Sequence, residues 1–148
     1  MREIIFRGNL SCNGKWVEGD LLQYLTMTII QCREETERTV RYEKHLVEMS
    51  TVGQFTGLTD KNGKRIFEGD IVRLDFEDSI GVIEFGDYAS PMGSDGNTHH
   101  IGFYPKFSGK MEKMLRKDLG FYVYAFSDMA VIGNIHDNPE LLKGGGEE

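Results

Sequence analysis

A chain of 148 residues, 39% hydrophobic with nine Phe, six Tyr and one Trp, has enough bulky side chains to bury a core without disulfides or metals, which sets it apart from disordered chains. Its formal net charge of -7 repels a phosphate backbone, so nucleic acid is disfavoured as a partner unless a local basic patch overrides the field. Two cysteines at no metal or disulfide spacing, an N-terminus that turns charged again at Arg7, and apolar runs far short of the ~20 residues of a membrane helix point to a cytoplasmic protein without membrane attachment.

Eighteen Gly against three Pro fit β-structure with many short connections. Ile4-Ile5-Phe6 reads as a first strand, ended by Gly8-Asn9. Asn13-Gly14-Lys15-Trp16-Val17-Glu18-Gly19-Asp20-Leu21-Leu22 follows, and it has a near-copy in Asn62-Gly63-Lys64-Arg65-Ile66-Phe67-Glu68-Gly69-Asp70-Ile71-Val72. Both share Asn-Gly-Lys and Glu-Gly-Asp, and both are expected to be a turn, a bend and then a strand starting near Leu21 or Ile71. From Leu21 through Cys32, the alternation of Leu25, Met27 and Ile29 with Thr26 and Thr28 predicts one long strand. A charged hairpin tip is expected over residues 33–38, with the return strand through Val40, Tyr42 and Leu46-Val47. Residues 1–48 then form a β-meander packed beside a second region, 49–142, with residues 143–148 as a disordered tail.

The second region opens on the stretch from Gln54 to Val72. Asp60-Lys61-Asn62-Gly63 is a turn, Glu68-Gly69-Asp70 a tight bend, and Val72, Leu74 and Phe76 alternate with Arg73 and Asp75 as in a half-buried strand. Residues 77–79 turn the chain, and Ile80 to Phe85 pairs back. The stretch 86–98 is irregular, of a length that is usually functional or disordered. Ile101 to Tyr104 resumes extended structure. Residues 109–118 are the best helix, with Met111, Met114 and Leu115 on one face. Residues 120–126 read as a strand by their aromatic and β-branched content, and 130–135 as another. Asn138-Pro139 starts a last helical turn, with Asn as the cap and Pro at the first position.

Gln54-Phe55-Thr56-Gly57-Leu58-Thr59-Asp60-Lys61-Asn62-Gly63-Lys64-Arg65-Ile66-Phe67-Glu68-Gly69-Asp70-Ile71-Val72 resembles the signature of the YopX family of bacteriophage and prophage proteins. Phe6-Arg7-Gly8 with Trp16 to Leu21, and Val131 to Leu142, are similar to the family's two ends. The resemblance implies an SH3-like small barrel and a phage or prophage origin in a bacterial cytoplasm. It brings no assigned activity, so no catalytic residue is carried over.

Each candidate chemistry has a plain structural competitor. Gly57 to Lys64 approaches a phosphate-binding loop but has the wrong glycine spacing, Arg65 in place of Ser or Thr, and a strand after it. Asp60-x-Asn62-Gly63 lacks the further acidic ligands of a calcium loop. His99 and His100 are neighbours that point to opposite faces of a strand, with no third ligand at metal spacing, so no metal or cofactor is expected. Ser127-Asp128 and His136-Asp137 supply hydrolase residue types without a nucleophile elbow.

The signature residues Gln54, Phe55, Thr56, Gly57, Asp60, Asn62, Gly63, Glu68, Gly69 and Asp70 are therefore assigned to architecture first. Of these, Gln54, Phe55 and Thr56 are required by no turn rule. The strongest binding patch runs from Phe103 to Lys117: Lys106, Lys110, Lys113, Arg116 and Lys117 with Phe107 and its aromatic neighbours interleaved, as in single-strand nucleic-acid binders. Its competitor is an amphipathic helix with a solvated lysine face. The expectation is a mainly β protein acting as a non-catalytic interaction module whose partner is a host or phage protein or a second copy of itself. A nucleic-acid regulator using the 103–117 patch is the alternative, and a small enzyme the second alternative.

Overall fold

The computed structural model describes residues 2–89, 99–109, 111 and 117–143. Within them the chain is mainly β, with two antiparallel sheets, one α-helix and short 3-10 turns. It forms two compact units, Met1–Gly57 and Leu58–Glu148.

The first unit is a meander of β1 (Phe6–Asn9), β2 (Trp16–Gln23), β3 (Thr28–Glu35) and β4 (Val40–Val47), followed by β5 (Gly53–Thr59), which crosses the boundary at Gly57. The strand order is β4-β3-β2-β1-β5. Among the described residues the pairings do not complete a closed barrel. The nearest approach is a bridge between Leu10 and Val47, which ties the end of β4 to the residue after β1. Gly8 is needed there, since a Cβ would lie 3.0 Å from the Val47 side chain.

Several expectations for this unit are corrected, and the first strand, Phe6–Asn9, runs through the Gly8-Asn9 expected to end it. The single strand over 21–32 is two strands, reversed at Tyr24–Met27, where the Tyr24 N–H donates to the Met27 carbonyl at 2.9 Å. The hairpin puts Leu22 opposite Ile29 and Gln23 opposite Thr28, so the facing parity switches across the turn, yet Leu25 and Met27 carry the alternation of Ile29 through the turn itself and periodicity shows no break there. A further correction concerns the near-repeat. Asn13-Gly14 and Asn62-Gly63 are both turns, with glycine φ of 73° and 78°. Glu18-Gly19-Asp20, by contrast, lies inside β2, while Glu68-Gly69-Asp70 bends at Gly69, φ 89°. Gly19 serves close approach instead: a Cβ there would sit 2.2 Å from the Gln31 carbonyl oxygen.

The charged tip is also shorter than expected. β3 and β4 run to Glu35 and resume at Val40, closed by the Thr36 N–H on the Thr39 carbonyl and a 2.7 Å contact between the two hydroxyls.

The second unit contains β6 (Arg65–Phe67), β7 (Asp70–Leu74), β8 (Ser79–Ala89), β9 (His99–Phe107), α1 (Leu119–Ala125) and β10 (Ala130–Asn134). Its four-stranded sheet has the order β10-β7-β8-β9. The core packs Ile66, Val72, Leu74 and Ile83 against Phe107, Met111, Leu119, Tyr122 and Met129. Residues 120–125, expected with Phe126 as a strand, are thus helix, and Phe126 is the residue that ends it. Leu119 and Tyr122, three apart, both bury on one side of α1, and packing overrides an aromatic composition that favours extended chain. β7 stops at Leu74, so Phe76 falls in a 3-10 turn and is exposed. β8 extends past Phe85 to Ala89, and β9 begins already at His99. The rest of the expected irregular stretch, most of the 109–118 helix and the 144–148 tail lie outside the described residues. The last turn, Pro139–Leu142, has Pro at its start as expected, but Asn138 makes no capping bond; its Oδ1 accepts from the Asn134 N–H instead.

Candidate interaction surface

The signature residues turn out to be built into the backbone. Asp60 is buried at the β5–β6 turn. Its Oδ1 accepts from the N–H groups of Asn62 and Lys64, both at 2.9 Å, and its Oδ2 from the Val131 N–H at 2.9 Å. The Lys61 N–H adds a bond to the Met129 carbonyl, so one carboxylate orders the turn and joins it to β10. Asp70, 1% exposed, accepts from the Phe67 N–H at 2.7 Å. Gly69 donates to the Ile83 carbonyl and accepts from the Ile135 N–H. Glu68 is half-buried beside it. Gly57 and Gly63 hold positive φ and are exposed. In β5, Gln54 lies opposite Phe6 and Phe55 is buried, its N–H donating to the Ile5 carbonyl; Thr56 is half-buried.

The 103–117 patch is only partly brought together. Phe107 is a core residue, edge-on to Tyr122 at 5.2 Å, and Phe103 stands edge-on to Phe85 at 5.0 Å. Lys106 is exposed on β9, and the Lys117 ammonium lies over the Phe121 ring at 5.7 Å. Lys110, Lys113 and Arg116 lie outside the described residues. Phe107, buried in this way, has no face free for a base to stack on.

The His pair splits as strand geometry requires. His99 Nδ1 is 3.0 Å from both Asp87 carboxylate oxygens, while His100 stacks on Tyr88. Among the described residues no group of three or more His, Cys, Asp or Glu is placed to hold a metal ion. Asp128 accepts from the Asp75 N–H, and Asn134 accepts from the N–H groups of His136 and Asp137, so both hydrolase-like dipeptides sit in hydrogen-bonded turns.

The feature that the sequence did not signal is in the first unit. The β2–β3 turn and the end of β4 enclose a concave site of about 360 Å³. Tyr24, Leu25, Met27, Leu46 and Met49 face it and are all exposed, Leu25 fully and Met49 at 68%; Glu48 and Ser11 give it a polar border. Further along β4, Val40 and Tyr42 continue the apolar exposure on the same face as Leu46, since residues two apart share a side. On the opposite face Cys32 donates its S–H to the Glu18 carbonyl, and burial, reinforced by the Glu43 carboxylate, pushes its thiol pKa up. The turn itself, Tyr24-Leu25-Thr26-Met27, has no Gly, Pro, Asn or Asp, which is why it left no mark in the sequence.

The family model described as "YopX protein" matches residues 5–143. No curated protein matches the chain. Among solved structures, the crystal structure of protein EF1440 from Enterococcus faecalis is similar over 96% of this chain and 99% of that one, with a TM-score of 0.56 and 24% sequence identity. That likeness extends to the fold. In the described residues no helix is long and apolar enough to cross a membrane.

Proposed function

The chain belongs to the YopX protein family, and on that premise we propose that it is a non-catalytic protein-interaction module, working in a bacterial cytoplasm under phage or prophage control. The observation that carries this reading is the cluster of exposed Tyr24, Leu25, Met27, Leu46 and Met49 around the first unit's concave site. Contiguous apolar surface rimmed by polar residues marks a place where another protein excludes water, and Met and Tyr adapt to varied partners. The net charge of -7 favours protein over nucleic acid.

Affinity capture from bacterial lysate with the full chain and with a Leu25→Asp, Met49→Asp variant tests it. Partner retention by the native chain and its loss in the folded variant support the reading. Equal retention by both, or a small-molecule turnover with no retained protein, contradicts it.

A further inference from the structure

We propose that the free edge of β4 is a homodimer interface, pairing with β4 of a second copy about a two-fold axis at Tyr42. This rests on the reading of the first unit as an interaction module and makes the protein one of its own partners. β4 is the outer strand of its sheet. Its far end is already occupied: the Ser11 N–H donates to the Leu46 carbonyl at 3.3 Å, and the Glu48 N–H to the Asn9 carbonyl at 3.0 Å. In an antiparallel strand both backbone groups of one residue point to the same side, and the side alternates along the chain. Outward groups at Leu46 therefore place those of Lys44, Tyr42 and Val40 outward too, and turn Arg41, Glu43 and His45 toward β3.

A second β4 related by a two-fold axis must set one residue opposite itself. With Tyr42 on that axis, its N–H and carbonyl bond reciprocally to their copies, and Val40 bonds Lys44 in both directions. Arg41 then faces Glu43 of the partner subunit, and Glu43 faces Arg41 of the partner subunit. They meet in the non-hydrogen-bonded positions, where cross-strand Cβ atoms come within about 4.5–5.5 Å. Both side chains are exposed. Among the described residues Arg41 has no ion-pair partner, and Glu43 has only His45 Nε2 at 3.5 Å.

Adjacent registers fail on the same criteria. An axis at Lys44 opposes two ammonium groups and sets Tyr42 against Leu46, whose carbonyl is taken. An axis at Val40 carries Lys44 onto Thr36 in the β3–β4 turn. Axes at Arg41 or Glu43 also join outward groups but set like charge against like charge on the axis, so only the Tyr42 register both joins the outward backbone groups and matches charge with charge. It also gathers Tyr42, 57% exposed, and Val40 from both subunits into one strip.

Sedimentation equilibrium of the full chain tests the pairing with native protein, Arg41→Glu, Glu43→Arg and an equimolar mixture of the two variants. The native chain is expected to dimerise, and each variant to weaken the dimer about tenfold through two like-charged pairs. The mixture is expected to regain the native dimer, because each variant's reversed charge meets its complement in the other. Tyr42→Pro, which removes an outward-facing N–H at an edge position that tolerates proline, abolishes dimerisation without help from charge. Circular dichroism checks that each variant is folded; if Arg41→Glu is destabilised beside Glu34, the Glu43→Arg and Tyr42→Pro arms decide.

A native chain that stays monomeric overturns the pairing, as does a dimer indifferent to these substitutions. So does a native dimer weakened by both charge variants but not restored on mixing. If lysate capture still depends on Leu25 and Met49 in that case, the interaction-module reading stands without the edge pairing. Capture through a β4 edge on a monomeric chain would assign the edge to a foreign extended peptide and would equally overturn the homodimer.

Discussion

Three backbone N–H groups, from Asn62, Lys64 and Val131, end on the carboxylate of Asp60. Removing a buried acceptor leaves its donors without water or partner, at about 1–3 kcal/mol each where burial is complete. Asp60→Ala is expected to lower stability by about 2–4 kcal/mol, read from the urea midpoint, because three part-buried donors lose their shared acceptor at once. A loss under about 0.5 kcal/mol would show that the carboxylate is not a structural hub.

A second expectation at this scale concerns alkaline pH. Tyr122 is 1% exposed, and burial raises its phenol pKa above the ordinary value, against a lowering backbone bond from Lys117. Between the ordinary and raised values the unfolded chain has lost the proton that the folded chain keeps, so raising pH favours unfolding. The stability that Tyr122 contributes is full below about pH 10 and lost as pH rises through the folded value. Tyr122→Phe is expected to flatten that fall in the plot of melting temperature against pH; an unchanged slope would contradict it.

At the scale of elements, the two Glu-Gly-Asp copies separate local rule from tertiary context. Gly69 answers a left-handed backbone, which costs an L-residue roughly 1–2 kcal/mol. Gly19 answers the Gln31 carbonyl 2.2 Å from its missing Cβ, where β2 and β3 must part for any side chain to fit. Gly19→Ala is therefore expected to be the more destabilising of the two alanine substitutions in thermal melts, and the reverse order would contradict this account. The contrast also marks how far the sequence is legible. Asn-Gly turns, the Val72–Leu74 alternation and the Pro-led last turn depend on neighbours along the chain, and all were readable. α1 was not, because the burial of Tyr122 against Phe107 decides it from a distance. Nor was the Tyr24–Met27 reversal, whose own Leu25 and Met27 continue the alternation of Ile29 and which uses no turn residue, and with it went the sequence's chance of marking the concave site. Asp60 was readable as a turn former, but its bond to Val131 spans 71 positions and was not.

Across the whole molecule the two units carry different burdens. The second has a buried aromatic and aliphatic core, with Phe107 inside it. The first leaves Tyr24, Leu25, Met27, Leu46 and Met49 in water. Together with the net charge of -7, the loss of Phe107 as a stacking surface predicts no band shift with single- or double-stranded DNA or RNA, even at low salt. A salt-sensitive shift would restore the basic patch as a site. Whether the first unit's apolar surface receives a protein is decided by hydrogen–deuterium exchange of the full chain alone and bound to the protein it captures. Exchange at residues 24–28 and 46–49 is expected to slow on binding. Protection confined to residues 58–143, with the 24–28 turn exchanging as fast as in the free chain, would contradict it.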